Sequence, residues 1–327
     1  MKIALLVSMT AACLLATSSQ AQDSASLSLK GKNTRPVEVG TVNWDRDLDA
    51  AYTSSRSSGK PVLVLFQEVP GCAGCQKFGR EVLSQPLLVE AIEDLFEPVV
   101  VYNNKGGKDA QILAQFKEPA WNYQVIRFLN ANGQDIVPRK DKIWSTAGVA
   151  TRMIEALKAA DRPVPKYLTT LAPITDSDNR AFAAFSMHCF WTGEYQLGKI
   201  NGVVGTEAGW LKGREVTLVQ FDKSKLSLEN LAREAAKVKC ADSVFTRDGK
   251  SIAGLPGGKL DKSYRVADSK DQKRQIKNWN AIKNVPALSL MQLTKINALA
   301  PDDIAAATAW LSPRQQKQLA MPANARR

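Results

Sequence analysis

The sequence predicts an α/β protein built from two successive α/β units and closed by a short helical C-terminal tail. Three observations carry that expectation. An apolar run, Val62-Leu63-Val64-Leu65-Phe66, reads as a buried strand and leads into a dithiol, Cys72-Ala73-Gly74-Cys75. A second strand-like run, Ala181 to Met187, leads into a separate thiol at Cys189. Segments of helical period lie between and after them, with 327 residues available to fill two cores. Hydrophobic residues make up 44% of the chain and charged residues 23%, which sets it apart from disordered and collagenous classes.

The first 21 residues read as a signal peptide: Met1-Lys2, an apolar stretch from Ile3 to Ala16, and the small-residue site Ser19-Gln20-Ala21. A periplasmic or secreted protein is therefore expected. The rival, a lipoprotein acylated on Cys13, is disfavoured, because Thr10-Ala11-Ala12 lacks the usual leucine and the apolar run continues beyond the cysteine. No later segment reaches the roughly 20 apolar residues that span a bilayer, so no stable membrane insertion is expected. The formal charge is +12, but the basic residues are scattered and no aromatic platform accompanies them, which argues against nucleic acid.

Taken in order, residues 22–40 read as a flexible, Ser-rich leader and 41–165 as the first unit. Trp44 to about Ser57 reads as a helix, because Trp44, Leu48, Ala51 and Tyr52 have near-helical spacing, and Gly59-Lys60-Pro61 ends it before the first strand. A helix through Phe78 and Val82, another over 85–96, and a strand over 98–102 follow the dithiol. Val125 to Leu129 reads as a strand running into the turn Asn130-Ala131-Asn132-Gly133, and 146–160 as a helix. Residues 166–180 read as a linker opened by Arg162-Pro163-Val164-Pro165. The second unit, 181–282, reads as a βαββα sandwich, with a helix from Phe190 to Ile200, strands around 202–204 and 215–221, and a helix from Leu226 to Val238. Gly254 to Gly258 reads as a mobile loop without the context of a phosphate cradle. The tail, 283–327, is helical, with Pro301 and Pro313 as first-turn residues and a basic, disordered end.

Removing Cys13 with the signal peptide leaves Cys72, Cys75, Cys189 and Cys240, too few for a disulfide scaffold and suited to redox work. A CxxC pair at a strand-to-helix junction puts the first thiol at the helix N-terminus, which favours its thiolate, and the second one turn away. Cys72 is the expected attacking thiol and Cys75 the resolving one. A zinc site would need two more ligands, and His188 is the sole histidine. The order β, CxxC, α, β, α, β, β, α, with Gly59-Lys60-Pro61 and the Asn-Gly turn, resembles the thioredoxin-like superfamily over about 41–165. Two positions depart from it. Gly71 replaces the tryptophan before the first cysteine, and the proline that faces the dithiol would align near Gln124, with Pro119 too early to serve.

The run His188-Cys189-Phe190-Trp191-Thr192 resembles the Gly-Cys-Phe-Trp-Gly of A-type peptide methionine sulfoxide reductases. That resemblance implies a methionine-sulfoxide-reductase-like α/β sandwich in which Cys189 attacks the sulfoxide sulfur and Phe190 and Trp191 enclose the substrate methyl. Matching Gly213-Arg214-Glu215-Val216 and Phe221-Asp222 with one residue deleted implies Glu215 as the proton donor. Ser263-Tyr264-Arg265 implies Tyr264 as a hydroxyl donor to the sulfoxide oxygen. Flanking glycines are replaced by His188 and Thr192, a segment between Gly205 and Gly213 is missing, and Lys259 stands where an acid is expected. Cys240, after the Leu226–Val238 helix, is a candidate to resolve a sulfenic acid on Cys189, or a non-participating thiol.

The expected function is an exported reductase of methionine sulfoxide, free or in oxidised exported proteins, in which Cys189 is recharged by Cys72 and Cys75. It draws electrons from an external thiol reductant and needs no metal or organic cofactor. Two alternatives stay open: a thiol-disulfide oxidoreductase on exported proteins whose second unit is a binding module, and a non-catalytic protein on a degenerate reductase fold.

Overall fold

The computed structural model describes residues 35–120, 124–174 and 177–320. The expected signal peptide, Cys13, most of the leader and the basic end of the tail lie outside the described residues. The first unit runs α1 (Leu48–Ser58), β1 (Val62–Gln67), α2 (Ala73–Glu81), α3 (Pro86–Leu95), β2 (Glu97–Tyr102), α4 (Lys108–Phe116), β3 (Val125–Leu129), β4 (Lys140–Asp141), α5 (Thr146–Ala159) and α6 (Lys166–Thr169). Its sheet has the order β2-β1-β3-β4, with β1 parallel to β2 and antiparallel to β3. All six residues of β1 are buried because helices cover both faces. Leu63 and Leu65 point into a core shared with α2, α3 and α5, while Val62, Val64 and Phe66 point into one shared with α1 and α4. Burial on both sides explains a continuous apolar run where alternation would mark a one-sided strand.

Three boundaries differ from the sequence reading. The first helix starts at Leu48, not Trp44, because the Asp47 carboxylate accepts from the Asp49 and Ala50 N–H groups and caps it there. Trp44 instead donates its indole N–H to the Val39 carbonyl. The end of the expected leader is structured: Val37–Val39 forms a 3-10 turn against α2, and Val39 is buried in the first core. The stretch expected as a linker carries α6, whose Tyr167 and Leu168 are buried in that same core between α3 and α5. A side chain such as Leu168 gains about 1.5–3 kcal/mol by leaving water, which binds the stretch to the first unit.

The second unit holds β5 (Arg180–Ser186), α7 (Phe190–Leu197), β6 (Val203–Leu211), β7 (Arg214–Asp222), α8 (Leu228–Lys237), β8 (Ser243–Thr246), β9 (Gly257–Lys259) and β10 (Arg265–Val266). Its mixed six-stranded sheet has the order β10-β6-β7-β5-β8-β9. The first five elements follow the expected βαββα order, and the last three strands extend it. The glycine-rich stretch expected to be mobile contains β9, which pairs in parallel with β8. A Cβ on Gly258 would sit 2.4 Å from the Phe245 ring, so glycine there permits close strand packing.

Strand alternation gives the sheet two distinct faces. Phe185, Val219 and Phe221 share one core with Leu231, Ala232 and Ala235 of α8, whereas Ala184, Val216 and Phe245 share another with Leu211. The tail forms α9 (Leu290–Leu299), α10 (Ile304–Thr308) and α11 (Pro313–Ala320). Pro313 opens α11 as expected, but α10 begins at Ile304, capped by the Asp303 side chain, and Pro301 stays in the preceding turn. This tail is integral to the fold. α9 packs on α7 and β6, and the start of α11 reaches α3 of the first unit: the buried Glu90 carboxylate accepts from the Ser312 hydroxyl at 2.5 Å and from the Arg314 N–H at 2.7 Å.

Candidate functional sites

Cys72 occupies the N-cap of α2, immediately before the helix, and Cys75 lies one turn on, with 3.4 Å between the sulfurs. Cys72 is exposed and Cys75 fully buried. Hydrogen bonds from the Cys75 N–H, the Cys75 thiol and the Gly74 N–H lower the Cys72 thiol below its ordinary value, against desolvation and the nearby Glu68 charge. Burial, then the Cys72 sulfur, pushes Cys75 up to about 12. The pair is therefore asymmetric, with one accessible nucleophile and one protected partner.

The loop between β1 and α2 is held by polar groups, of which Glu38 and Gln67 are buried and Asn104 is exposed. Glu38 accepts from the Gly71 N–H at 2.9 Å, and the Gln67 amide donates to the Glu38 and Cys75 carbonyls. Asn104 accepts from the Val69 N–H and donates to the Pro70 carbonyl. The cis peptide sits here, at Val69–Pro70, directly before the dithiol. Gln124, near which the resemblance puts that proline, is buried and donates to the Ile143 carbonyl.

Trp144, which the sequence reading missed, flanks the attacking thiol. A Cβ placed on Gly74 would lie 3.5 Å from the Trp144 ring and 3.6 Å from the Cys72 sulfur. The indole packs edge-on against Phe78 yet stays 45% exposed. An aromatic beside Cys72 thus comes from the loop before α5, about seventy residues after the Gly71 that stands in the usual place. Its one sequence signal is a tryptophan in a polar turn just before a capped helix.

In the second unit, Cys189 is the N-cap of α7 and is partly exposed. Glu215, on β7, accepts from the Phe190 N–H at 2.8 Å, so its carboxylate faces the helix N-terminus next to the thiol. Phe190 packs edge-on against Trp191 and Trp210, 6.1 and 5.5 Å away, and the Arg274 guanidinium lies 4.9 Å above the Trp191 ring. The buried Trp191 indole N–H has no hydrogen-bond partner among the described residues. Cys240 is fully buried, and its thiol is raised to about 11 by burial first and then by the charge of Cys189. His188 points to solvent. The structure thus gathers Cys189, Glu215, Phe190, Trp191 and Cys240, and adds Trp210 and Arg274.

Tyr264 does not join them. Trp210 pairs with Glu215 across β6 and β7 and shares its face, so Glu207 and Gly209 project to the other side. Tyr264 packs there, in the core of Leu211 and Val216, and donates its hydroxyl to Glu207 at 2.6 Å. A Cβ on Gly209 would meet its ring at 2.5 Å, so that glycine makes room for it. The motif resemblance placed Tyr264 near the sulfoxide oxygen, but two-residue alternation puts it behind the sheet.

A thioredoxin-like family model matches residues 43–131. A solved structure titled DsbH oxidoreductase is 20% identical to the chain, covers 38% of it and 90% of itself, and superposes with a TM-score of 0.31. No curated protein matches. Residues 43–131 thus form a thioredoxin-like domain carrying a close Cys72–Cys75 pair.

Proposed function

We propose that the protein is an exported thiol-disulfide oxidoreductase acting through Cys72 and Cys75. The observation that carries this is the asymmetry of the pair: an exposed thiol with its thiolate favoured, 3.4 Å from a fully buried one. The Cys72 thiolate attacks a disulfide in the partner, forming a mixed disulfide and releasing one partner thiolate. Cys75 then gives up its proton and attacks the Cys72 sulfur. The mixed bond breaks, the second partner thiolate leaves, and a Cys72–Cys75 disulfide remains, so two electrons pass to the partner. An external thiol reductant restores the pair. Turnover of a disulfide-bonded peptide with dithiothreitol tests this: Cys72→Ser should abolish it, and Cys75→Ser should trap a mixed disulfide on Cys72. Full turnover by Cys72→Ser would refute the assignment.

A second reading, reduction of methionine sulfoxide at Cys189, is favoured by the Glu215 carboxylate at the Phe190 N–H and by the aromatic wall around it. Cys189 attacks the sulfoxide sulfur, Glu215 supplies a proton to its oxygen, methionine leaves, and Cys189 keeps the oxygen as a sulfenic acid. Cys240 condenses with it, releasing water and forming a disulfide that the Cys72/Cys75 dithiol reduces. Methionine release from sulfoxide that survives Cys189→Ser would overturn this reading.

A further inference from the structure

The carboxylate of Glu68, at the end of β1, stands beside the dithiol: one of its oxygens and the two cysteine sulfurs all lie within 4.8 Å of one another. In the sequence only the two cysteines stand out here as metal ligands, because nothing in the spacing marks Glu68 as a third.

We propose that Glu68, Cys72 and Cys75 form a binding site for a thiophilic divalent cation of the zinc class, occupied only when the pair is reduced. Tetrahedral zinc takes thiolates at about 2.3 Å and carboxylate oxygens at about 2.0–2.2 Å, so its ligand atoms stand roughly 3.5–3.8 Å apart. The sulfurs at 3.4 Å need open by only a few tenths of an ångström. Three protein ligands leave a fourth position for water on the exposed Cys72 side. The Glu68 carboxylate brings a negative charge to the side of the two sulfurs, which favours a cation there, and no ion pair with another described residue uses it up. The surrounding bonds from Gln67 to the Cys75 carbonyl and from Gly71 to Glu38 hold the ligand-bearing loop in place.

Binding converts the two thiols to metal-bound thiolates and releases their protons, with no change of oxidation state. Formation of the Cys72–Cys75 disulfide removes both sulfur ligands and must expel the ion. The consequence for activity rests on the exchange reaction proposed above: a bound cation keeps Cys72 from attacking a partner disulfide.

The test uses cobalt(II) as probe, read by its thiolate-to-metal absorption, on the full chain carrying Cys13→Ser, Cys189→Ser and Cys240→Ser, so that only the pair can contribute sulfur. The reduced protein should bind one ion and the oxidised protein none. Adding Glu68→Gln should weaken binding at least tenfold, and zinc should displace the cobalt. Disulfide exchange is measured on the same metal-free protein. A reduced protein without the absorption band, or a Glu68→Gln variant that binds equally well, overturns the site even if exchange is intact. Loss of exchange with the band retained overturns the exchange reaction and leaves the site standing.

Discussion

Glu90 gives a sharp test of how the tail is fastened. Its carboxylate is 3% exposed and accepts two hydrogen bonds from the start of α11, at 2.5 and 2.7 Å. Hydrogen bonds to a charged group contribute about 1.5–3 kcal/mol each, against about 0.5–1.5 for neutral ones. Glu90→Gln keeps the shape and one acceptor but loses the charge and the second bond, so about 2–4 kcal/mol should be lost. Glu90→Ala strands both donors and should cost about 4–5 kcal/mol. At roughly 2 °C per kcal/mol for a chain of this size, Glu90→Gln should melt about 4–8 °C lower. Arg314 is the control: its exposed side chain pairs with Glu93 and Asp94, and Arg314→Ala should cost no more than about 1 kcal/mol. The assay is urea denaturation, with a double-mutant cycle between Glu90→Gln and Ser312→Ala. A Glu90→Gln loss below about 0.5 kcal/mol, or no coupling with Ser312, would refute the reasoning.

Three further outcomes are expected. Iodoacetamide at pH 7 should label Cys72 and spare Cys75, since a thiol at about 12 is ionised to only roughly one part in 10⁵ there; labelling both at similar rates, read by mass spectrometry, would contradict the asymmetry. Trp144→Ala should raise KM for a disulfide-bonded peptide severalfold, because the ring is half exposed beside Cys72; an unchanged KM counts against its role. For methionine sulfoxide, Glu215→Gln should lower kcat by about 10²-fold, whereas Tyr264→Phe should leave kcat unchanged and reduce stability by about 1 kcal/mol.

The parts of this molecule that were legible in the sequence are those specified locally. Val62 to Phe66 announces a strand covered on both faces, and the dithiol after it announces a strand-to-helix junction. Cys189 before an apolar helix, Glu215 at a strand start and the α8 pattern from Leu228 were legible for the same reason. What stayed hidden depends on contacts distant in sequence. Trp144 reaches Cys72 only because the loop before α5 lays its ring against Phe78 of α2, and Glu68 becomes a ligand candidate only through the turn after β1. Tyr264 shows the opposite failure. A motif gave it a role, but its side of the sheet is decided by the register of β6 with β7, which a gapped motif match does not fix. Tyr167 and Leu168 were lost among the prolines of the supposed linker.

The bond between Ser312 and Glu90 spans 222 residues, and that separation bears on how the chain is made. At a synthesis rate of about 5–20 residues per second, those 222 residues take roughly 10–45 s to appear after Glu90 does. Elementary helix and hairpin formation is over in microseconds. The first sheet therefore has time to assemble while the groove at Glu90, Glu93 and Asp94 still faces water, its acids hydrated and its donors not yet made. Docking of α11 is left as a late step with a large loop to close, and it desolvates Glu90 only after the strands of the second sheet have been made. A chain interrupted before Ser312 would hold a dithiol ready for chemistry on a domain still lacking its final fastening.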